Sequence, residues 1–176
     1  VGEANTFVNM ASVYGQRGDY DPSAALLEQA IAIGEAEHDA GLLAAAVGNL
    51  GIVHRLRGEL DLALASQERA LALADQMGVT DERRASTMNN IGVVLMQLGR
   101  FRESLDYHRR ALEIRRRTDD PQVASSLGNI GTVLLMQGDT EGAVRYEREA
   151  LALVERRPEL HTFMARQHAM LGQALQ

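Results

Sequence analysis

The chain has 176 residues, enough for one domain with a substantial core, and 45% of them are hydrophobic although only 4% are aromatic. Its 18 basic residues are all arginine and its formal net charge is −6, so it lacks the cation surplus that general nucleic-acid binding requires, and we expect no nucleic-acid partner. It has no cysteine for disulfides or thiolate metal sites, and no apolar run near the ~18 residues of a membrane span, so we expect a cytoplasmic domain without membrane contact.

Apolar residues recur at helical spacing along the whole chain, in segments separated by glycine turns or polar loops. Proline after a capping aspartate predicts helix starts at Pro22 and Pro121, and Thr80 and Thr140 are predicted to cap two more helices. The pattern therefore predicts an all-α protein. In chain order the predicted helices are 3–17, 22–38, 40–57, 60–77, 81–98, 102–118, 121–137, 141–156 and 158–175.

A tandem repeat underlies these helices. One glycine stands in each turn, at intervals of 40, 41 and 39 residues: Gly18, Gly58, Gly99 and Gly138. Asparagines nine residues before each glycine keep the same intervals: Asn9, Asn49, Asn90 and Asn129. Alanines twelve residues after each glycine keep them again: Ala30, Ala70, Ala111 and Ala150. Three ladders with one spacing indicate two-helix units of fixed internal geometry.

These units resemble the tetratricopeptide repeat. In that family the first helix carries a large residue followed by glycine or alanine, a pair filled here by Met10-Ala11, Leu50-Gly51, Ile91-Gly92 and Ile130-Gly131. The family's turn position corresponds to Tyr20, Leu60, Phe101 and Thr140, and its early second-helix alanine to Ser23, Ala63, Ser104 and Ala143. The long period is similar to the extended subclass found in kinesin light chains, in spindle and G-protein adaptors, and in sensor domains of bacterial regulators.

The resemblance implies a right-handed α-solenoid of antiparallel helix pairs, with first helices lining a concave surface and second helices a convex one. We expect a single domain over residues 1–176, with a terminal helix at 158–175 after four repeats. Those repeats span about 3–38, 40–77, 81–118 and 121–156. The small residues of the first helices are predicted to let paired helices approach closely: Ala11, Gly51, Gly92 and Gly131.

The asparagine ladder is the main candidate site. Each asparagine precedes the large core residue of its helix, so its side chain is predicted to turn from the core toward the concave surface. In similar proteins an asparagine here hydrogen-bonds the backbone of a bound peptide. Alternatively, each amide bonds a neighbouring helix or a carbonyl, and both interpretations stay open. With its helical neighbours, the predicted groove comprises Asn5, Asn9, Ser12, Asn49, Ser86, Asn89, Asn90, Gln97, Ser125, Asn129, Thr132 and Met136.

Several other sites are weighed and disfavoured. Family members that clamp a chaperone's C-terminal carboxylate use lysine in the groove, and this chain has no lysine. The arginine-rich stretch 109–120 is interleaved with acids and is interpreted as a solvated convex face. His161 and His168 lie two turns apart without a third metal ligand, and no catalytic set or phosphate loop is visible. We therefore expect no metal, no cofactor and no enzymatic activity.

The sequence thus predicts a scaffold that binds a peptide segment of a protein partner in its concave groove. An alternative function is that of a sensor or oligomerisation domain within a larger bacterial transcriptional or signalling regulator. A third is an architectural part that only self-associates. Because the ends of a solenoid expose apolar surface, a homodimer through one end is also expected as a candidate assembly.

Overall fold

The computed structural model describes residues 2–78 and 80–156, and within them the chain forms eight α-helices and no strand. None of these helices is long and apolar enough to cross a membrane. The helices are α1 (Gly2–Arg17), α2 (Tyr20–Ala36), α3 (Ala40–Leu56), α4 (Leu60–Met77), α5 (Asp81–Gln97), α6 (Phe101–Arg117), α7 (Val123–Met136) and α8 (Thr140–Arg156). The predicted all-α fold of four helix pairs is confirmed, and the predicted helix 158–175 lies outside the described residues.

Two helix starts differ from the prediction. Helix α2 begins at Tyr20 and includes Pro22 in its first turn, where a missing backbone N–H leaves no hydrogen bond unmade. Helix α7 begins at Val123 rather than Pro121, because Asp120 Oδ1 accepts a hydrogen bond from the Gln122 amide at 2.7 Å and holds the intervening residues in a turn.

The predicted threonine caps are also corrected. Thr80 occupies the N-cap of α5 but its side chain makes no capping hydrogen bond, and Thr140 is already the first residue of α8. Aspartates act instead: Asp39 Oδ1 accepts from the Leu42 amide of α3 at 2.9 Å. Asp139 Oδ1 accepts from the Gly142 amide of α8 at the same distance. A carboxylate at these positions also complements the positive end of the helix.

Each predicted turn glycine adopts the left-handed conformation that side chains disfavour, with φ of 86°, 78°, 74° and 82° at Gly18, Gly58, Gly99 and Gly138. The amide after each glycine bonds a carbonyl of the preceding helix, for example Arg100 N to Leu95 O at 2.8 Å. This arrangement ends the first helix of every unit in the same way and sends the chain directly into the second helix.

Within each unit, the first and second helices approach most closely at the predicted small residues. A Cβ atom added at Gly51 would lie 2.9 Å from Gln67 Nε2, and one added at Gly92 would lie 2.7 Å from His108 Nε2. Both distances are too short for a real Cβ, so the second helix occupies the space that glycine leaves. In the third unit the Ser104 hydroxyl also donates to the Gly92 carbonyl at 2.7 Å, which fixes the helix pair further.

Between units, the second helix of one unit packs on the first helix of the next. Leu64 and Leu71 of α4 lie in one core cluster with Ile91 of α5, and the other unit boundaries repeat this arrangement. Successive first helices also contact each other directly. Successive second helices are joined through long side chains, as in the ion pair between Arg69 of α4 and Glu35 of α2 at 2.6 Å. The first helices therefore lie on the inner side of the curved array.

The close approach at Gly92 predicts a large effect of a single methyl group. Gly92→Ala should lower the free energy of unfolding by about 1–3 kcal/mol, because the buried His108 ring cannot move aside without disturbing the core. Gly15→Ala is the matched control, since its Cβ would lie at an ordinary 3.6 Å from Ser23 Oγ and alanine favours helix by up to about 1 kcal/mol. Urea denaturation of both variants measures this. Equal stability changes at the two glycines would contradict the proposed packing role.

Candidate functional site

A pocket of about 500 Å³ opens on the inner side of the array between α3 and α5. Four segments surround it: the first halves of α3 and α5, the second half of α4, and the loop between α6 and α7. Its lining residues are Gly41, Ala44, Ala45, Gly48, Asn49, Ile52, Gln67, Ala70, Ala74, Met77, Glu82, Arg83, Ser86, Thr87, Asn90, Thr118, Asp119, Asp120, Pro121 and Gln122. This volume falls in the usual range of ligand pockets.

Small side chains create the depth of the pocket. Gly48 of α3 faces Ala70 of α4, and a Cβ added at Gly48 would lie 3.6 Å from the Ala70 Cβ. Ala44 and Ala74 continue the same lining. The larger apolar residues Ile52 and Met77 also border the cavity. The result is an apolar recess in a helical surface rather than a flat face.

Amide and hydroxyl groups surround this recess. Asn49 of α3 and Asn90 of α5 both line the pocket, and both are half-buried. Ser86 lies one helical turn before Asn90 on the same lining. Within the described part of the chain, neither the Asn49 nor the Asn90 amide takes part in a hydrogen bond. Each can therefore donate to and accept from a bound group.

The ionisable residues at the pocket are mostly acidic. Glu82 and Arg83 stand on the first turn of α5, and Asp119 and Asp120 belong to the α6–α7 loop. Asp120 faces the Arg115 guanidinium, with 3.7 Å between Asp120 Oδ2 and Arg115 Nε. The pocket thus presents more carboxylates than cations, which favours neutral or basic ligands over acidic ones.

Arg115 holds the loop that walls the pocket. Its side chain is only 2% exposed, and its Nη1 donates to Ser126 Oγ at 2.6 Å while Nη2 donates to the Gln122 side-chain carbonyl. Burial lowers the pKa of the Arg115 guanidinium, and the Asp120 carboxylate partly offsets this effect. The interpretation of 109–120 as a solvated face is therefore wrong for Arg115, although Arg116 and Arg117 are exposed.

One predicted ladder residue takes part in a buried chain of hydrogen bonds instead of the pocket. Asn129 Nδ2 donates to Asn89 Oδ1 at 2.9 Å, and the same oxygen lies 3.2 Å from His108 Nδ1. Since Asn89 Oδ1 is an acceptor, the His108 proton is assigned to Nδ1. Both asparagines are buried, so Asn129 and Asn89 link the third and fourth units beneath the surface. This matches the alternative interpretation of the ladder for Asn129.

The remaining predicted groove residues are spread over the inner side of the array. Asn5, Asn9 and Ser12 are exposed on α1, and Gln97 and Met136 are exposed at the ends of α5 and α7. Ser125 is buried, and its hydroxyl has no hydrogen-bond partner among the described residues. Thr132 Oγ1 donates to the Gly128 carbonyl at 3.0 Å. Of the predicted groove residues, the pocket brings together Asn49, Ser86 and Asn90.

The sequence gave no warning of several pocket residues. The loop residues 118–122 come from the next unit boundary, and only the fold brings them beside α3 and α5. The small residues of α3 are visible in the sequence as AGLLAAAVGN at 40–49, and their spacing of three or four residues was the one available signal. In residues 2–78 and 80–156, no group of three His, Cys, Asp or Glu side chains is arranged to hold a metal ion.

Comparison with known proteins agrees with this architecture. The family model of the tetratricopeptide repeat matches residues 2–76 and 83–156, and the chain belongs to this family. The fold is that of a protein–protein interaction scaffold, and the family and its structural neighbours are generally non-enzymatic. No curated protein matches the chain.

Solved structures show the same fold. BtubC (BKLC) from P. vanneervenii superposes with a TM-score of 0.78 at 26% identity, over 89% of this chain and 63% of BtubC. TPR-like repeats of a kinesin light chain from Podosopora anserina give 0.76 at 18% identity, over 96% and 87% of the two chains. The apo form of RapI gives 0.85 at 18% identity, over 98% and 63%. The chain thus spans less than two thirds of BtubC and of RapI.

The burial of Arg115 predicts an asymmetry within the arginine-rich stretch. Arg115→Ala should lower the free energy of unfolding by roughly 3 kcal/mol, because it leaves Asp120 and the loop amide groups without their buried partner. Arg116→Ala removes only an exposed ion pair with Glu149 and should cost less than about 1 kcal/mol. Chemical denaturation compares the two variants, and hydrogen exchange should show faster opening of 118–122 in Arg115→Ala only. Similar losses for both arginines would contradict the structural role of Arg115.

His108 predicts a specific dependence of stability on pH. Burial, with a smaller effect from Arg115, lowers the pKa of His108 from 6.5 to about 4. Between these two values the unfolded chain binds a proton that the folded chain excludes. The free energy of unfolding should therefore fall as the pH drops from 6.5 to 4, by up to about 1.4 kcal/mol per unit, and this contribution should be constant above 6.5.

The variant His108→Gln isolates that contribution. Glutamine should fit because Gln67 occupies the equivalent position against Gly51 in the second unit. Urea denaturation at pH 7.5 and pH 5 should show a smaller loss of stability for His108→Gln than for the unmodified chain. An identical loss in both proteins would show that His108 is not held neutral by the fold.

Proposed function

We propose that this chain binds an extended peptide segment of a partner protein in its concave groove, and that the pocket between α3 and α5 receives one side chain of that peptide. The observation that carries the proposal is the combination of two amides without partners, Asn49 and Asn90, with an apolar recess between the helices that bear them.

The amides suit a peptide backbone better than most other ligands. An extended strand presents alternating N–H and C=O groups, and an asparagine side chain can bond one of each. Asn49 and Asn90 occupy equivalent positions in successive units, so they offer the same chemistry twice along one groove. Asn129 differs because its amide already bonds Asn89. The proposed contact therefore uses the second and third units.

The recess selects for an apolar side chain. Its lining of Ala44, Gly48, Ala70 and Ala74 offers contact to aliphatic groups without competing polar atoms from those side chains. Full burial of a leucine- or phenylalanine-sized side chain contributes about 1.5–3 kcal/mol of transfer free energy. The pocket volume of about 500 Å³ accommodates such a group together with part of its backbone.

The charge of the rim further restricts the partner. Glu82 and the loop acids face the opening, with Arg83 as the exposed guanidinium of the lining. A neutral or basic segment would be attracted, whereas a peptide that ends in a free carboxylate would meet like charge. The role of sensor or oligomerisation domain in a larger regulator stays a prediction, for which the sequence flanking this chain is the direct test.

The proposal is tested by selecting ligands from a random-peptide display library on the purified chain and measuring their affinity by calorimetry. Asn49→Ala/Asn90→Ala should raise the Kd of selected peptides by about 10–100-fold, since two peptide hydrogen bonds are lost. Asn9→Ala, on an exposed and distant part of α1, is the matched control and should leave the Kd unchanged.

Thermal denaturation accompanies the affinity measurements. The double variant should retain the melting temperature of the unmodified chain, because neither amide bonds another described residue. Asn129→Ala should lower the melting temperature, because it breaks the buried bond to Asn89. A folded double variant that binds the selected peptides as tightly as the unmodified chain would refute the proposed role of these two asparagines.

A further inference from the structure

Helix α1 carries an exposed row of side chains with the spacing of a coiled-coil seam. Glu3, Thr6, Met10, Val13 and Arg17 follow one another at steps of three and four residues, and all five are exposed. This alternation places them along one stripe of the helix, as at the a and d positions of a heptad. The stripe is separate from the exposed side of α1 that carries Asn5, Asn9 and Ser12.

The same stripe is buried at its centre in the other first helices. Met10 is 44% exposed, whereas its counterparts Leu50, Ile91 and Ile130 are 9%, 0% and 0% exposed. Val13 is 50% exposed, whereas its counterparts Val53, Val94 and Val133 are 5%, 1% and 0% exposed. In the inner units a preceding second helix covers these residues. In α1 the same kind of apolar surface faces outward at the end of the described array.

The charges at the ends of the stripe indicate what covers it. Glu3 stands near the start of α1 and Arg17 at its end, and Met10 lies midway between them. If a second α1 packs antiparallel across the stripe, Glu3 of each copy faces Arg17 of the other and the two Met10 side chains meet at the centre. We propose that two copies of this chain associate through α1 in this two-fold symmetric arrangement.

A preceding helix of the repeat would fit the stripe less well. The positions equivalent to Glu3 in the inner first helices are Leu43, Arg84 and Val123, and each is at least partly covered by its neighbours. Glu3 and Arg17 form no ion pair with any other described residue, so both remain available to a second copy. A self-complementary surface of this kind is what a two-fold dimer requires.

The size of the surface sets the expected strength. A 16-residue helix face lies below the roughly 1,200 Å² that stable interfaces bury, so the dimer should be reversible, with a Kd in about the micromolar range. Sedimentation velocity and light scattering of the chain over a concentration series should show exchange between monomer and dimer. A monomer at all concentrations up to the millimolar range, or assemblies that grow beyond the dimer, would overturn the proposal.

Variants of the stripe give the sharper test. Met10→Glu/Val13→Glu should abolish the dimer, whereas Leu62→Glu, at an equally exposed site on α4, should leave it intact. Glu3→Arg and Arg17→Glu should each raise the dimer Kd by at least about tenfold, because like charges then face each other. The combined variant Glu3→Arg/Arg17→Glu should restore the original Kd.

Each outcome is decisive when circular dichroism shows a helical, cooperatively melting variant. Restoration by the double charge exchange supports the antiparallel two-fold contact, since only that arrangement brings the two changed residues together. A dimer that survives Met10→Glu/Val13→Glu, or a double charge variant that remains as weak as the single ones, would exclude α1 as the interface.

Discussion

The contact on which the structure depends is the one between the side-chain-free surface of a first helix and a single side chain on its partner. In the second, third and fourth units this contact joins Gly51 to Gln67, Gly92 to His108 and Gly131 to Glu147. The glycines forgo helix propensity, but they let two backbones approach to a distance that no Cβ would allow. Because each helix pair is fixed here, the turn glycines and the packing between units can repeat with the same geometry along the chain.

This close approach also determines where a cavity can form. Tight pairing of α3 with α4 brings Gly48 beside Ala70, so the groove deepens at the unit whose facing residues are smallest. The Arg115 hydrogen bonds then hold the α6–α7 loop in place as a wall. Our proposal that the groove accepts a peptide rests on this rigid setting, since a ligand loses less entropy-driven affinity when its site is formed in advance.

Much of the fold can be predicted from the sequence because the repeat states each local rule four times. The ladders of glycine, asparagine and alanine are sufficient for the helix pairs, the left-handed turns and the close-packing positions. The site is less predictable. Asn90 and Asn129 stand at equivalent positions, yet only Asn129 meets a neighbouring Asn89, and that difference arises from side chains on a different helix. Likewise, nothing local separates the buried Arg115 from the exposed Arg116. Its burial depends on Ser126 and Gln122, which only the turn before α7 brings within reach.

The residues opposite the small positions also give each unit an identity. The backbone repeats, but Leu27, Gln67, His108 and Glu147 are four chemically different side chains at one equivalent position. His108 finds its acceptor on Asn89, and Gln67 instead donates to the Gly48 carbonyl at 2.8 Å. A helix that paired with the wrong neighbour would leave such a group buried without its partner, at a cost of about 1–3 kcal/mol. A chain of near-identical modules thereby carries an internal address code that discourages register shifts and the exchange of helices between molecules.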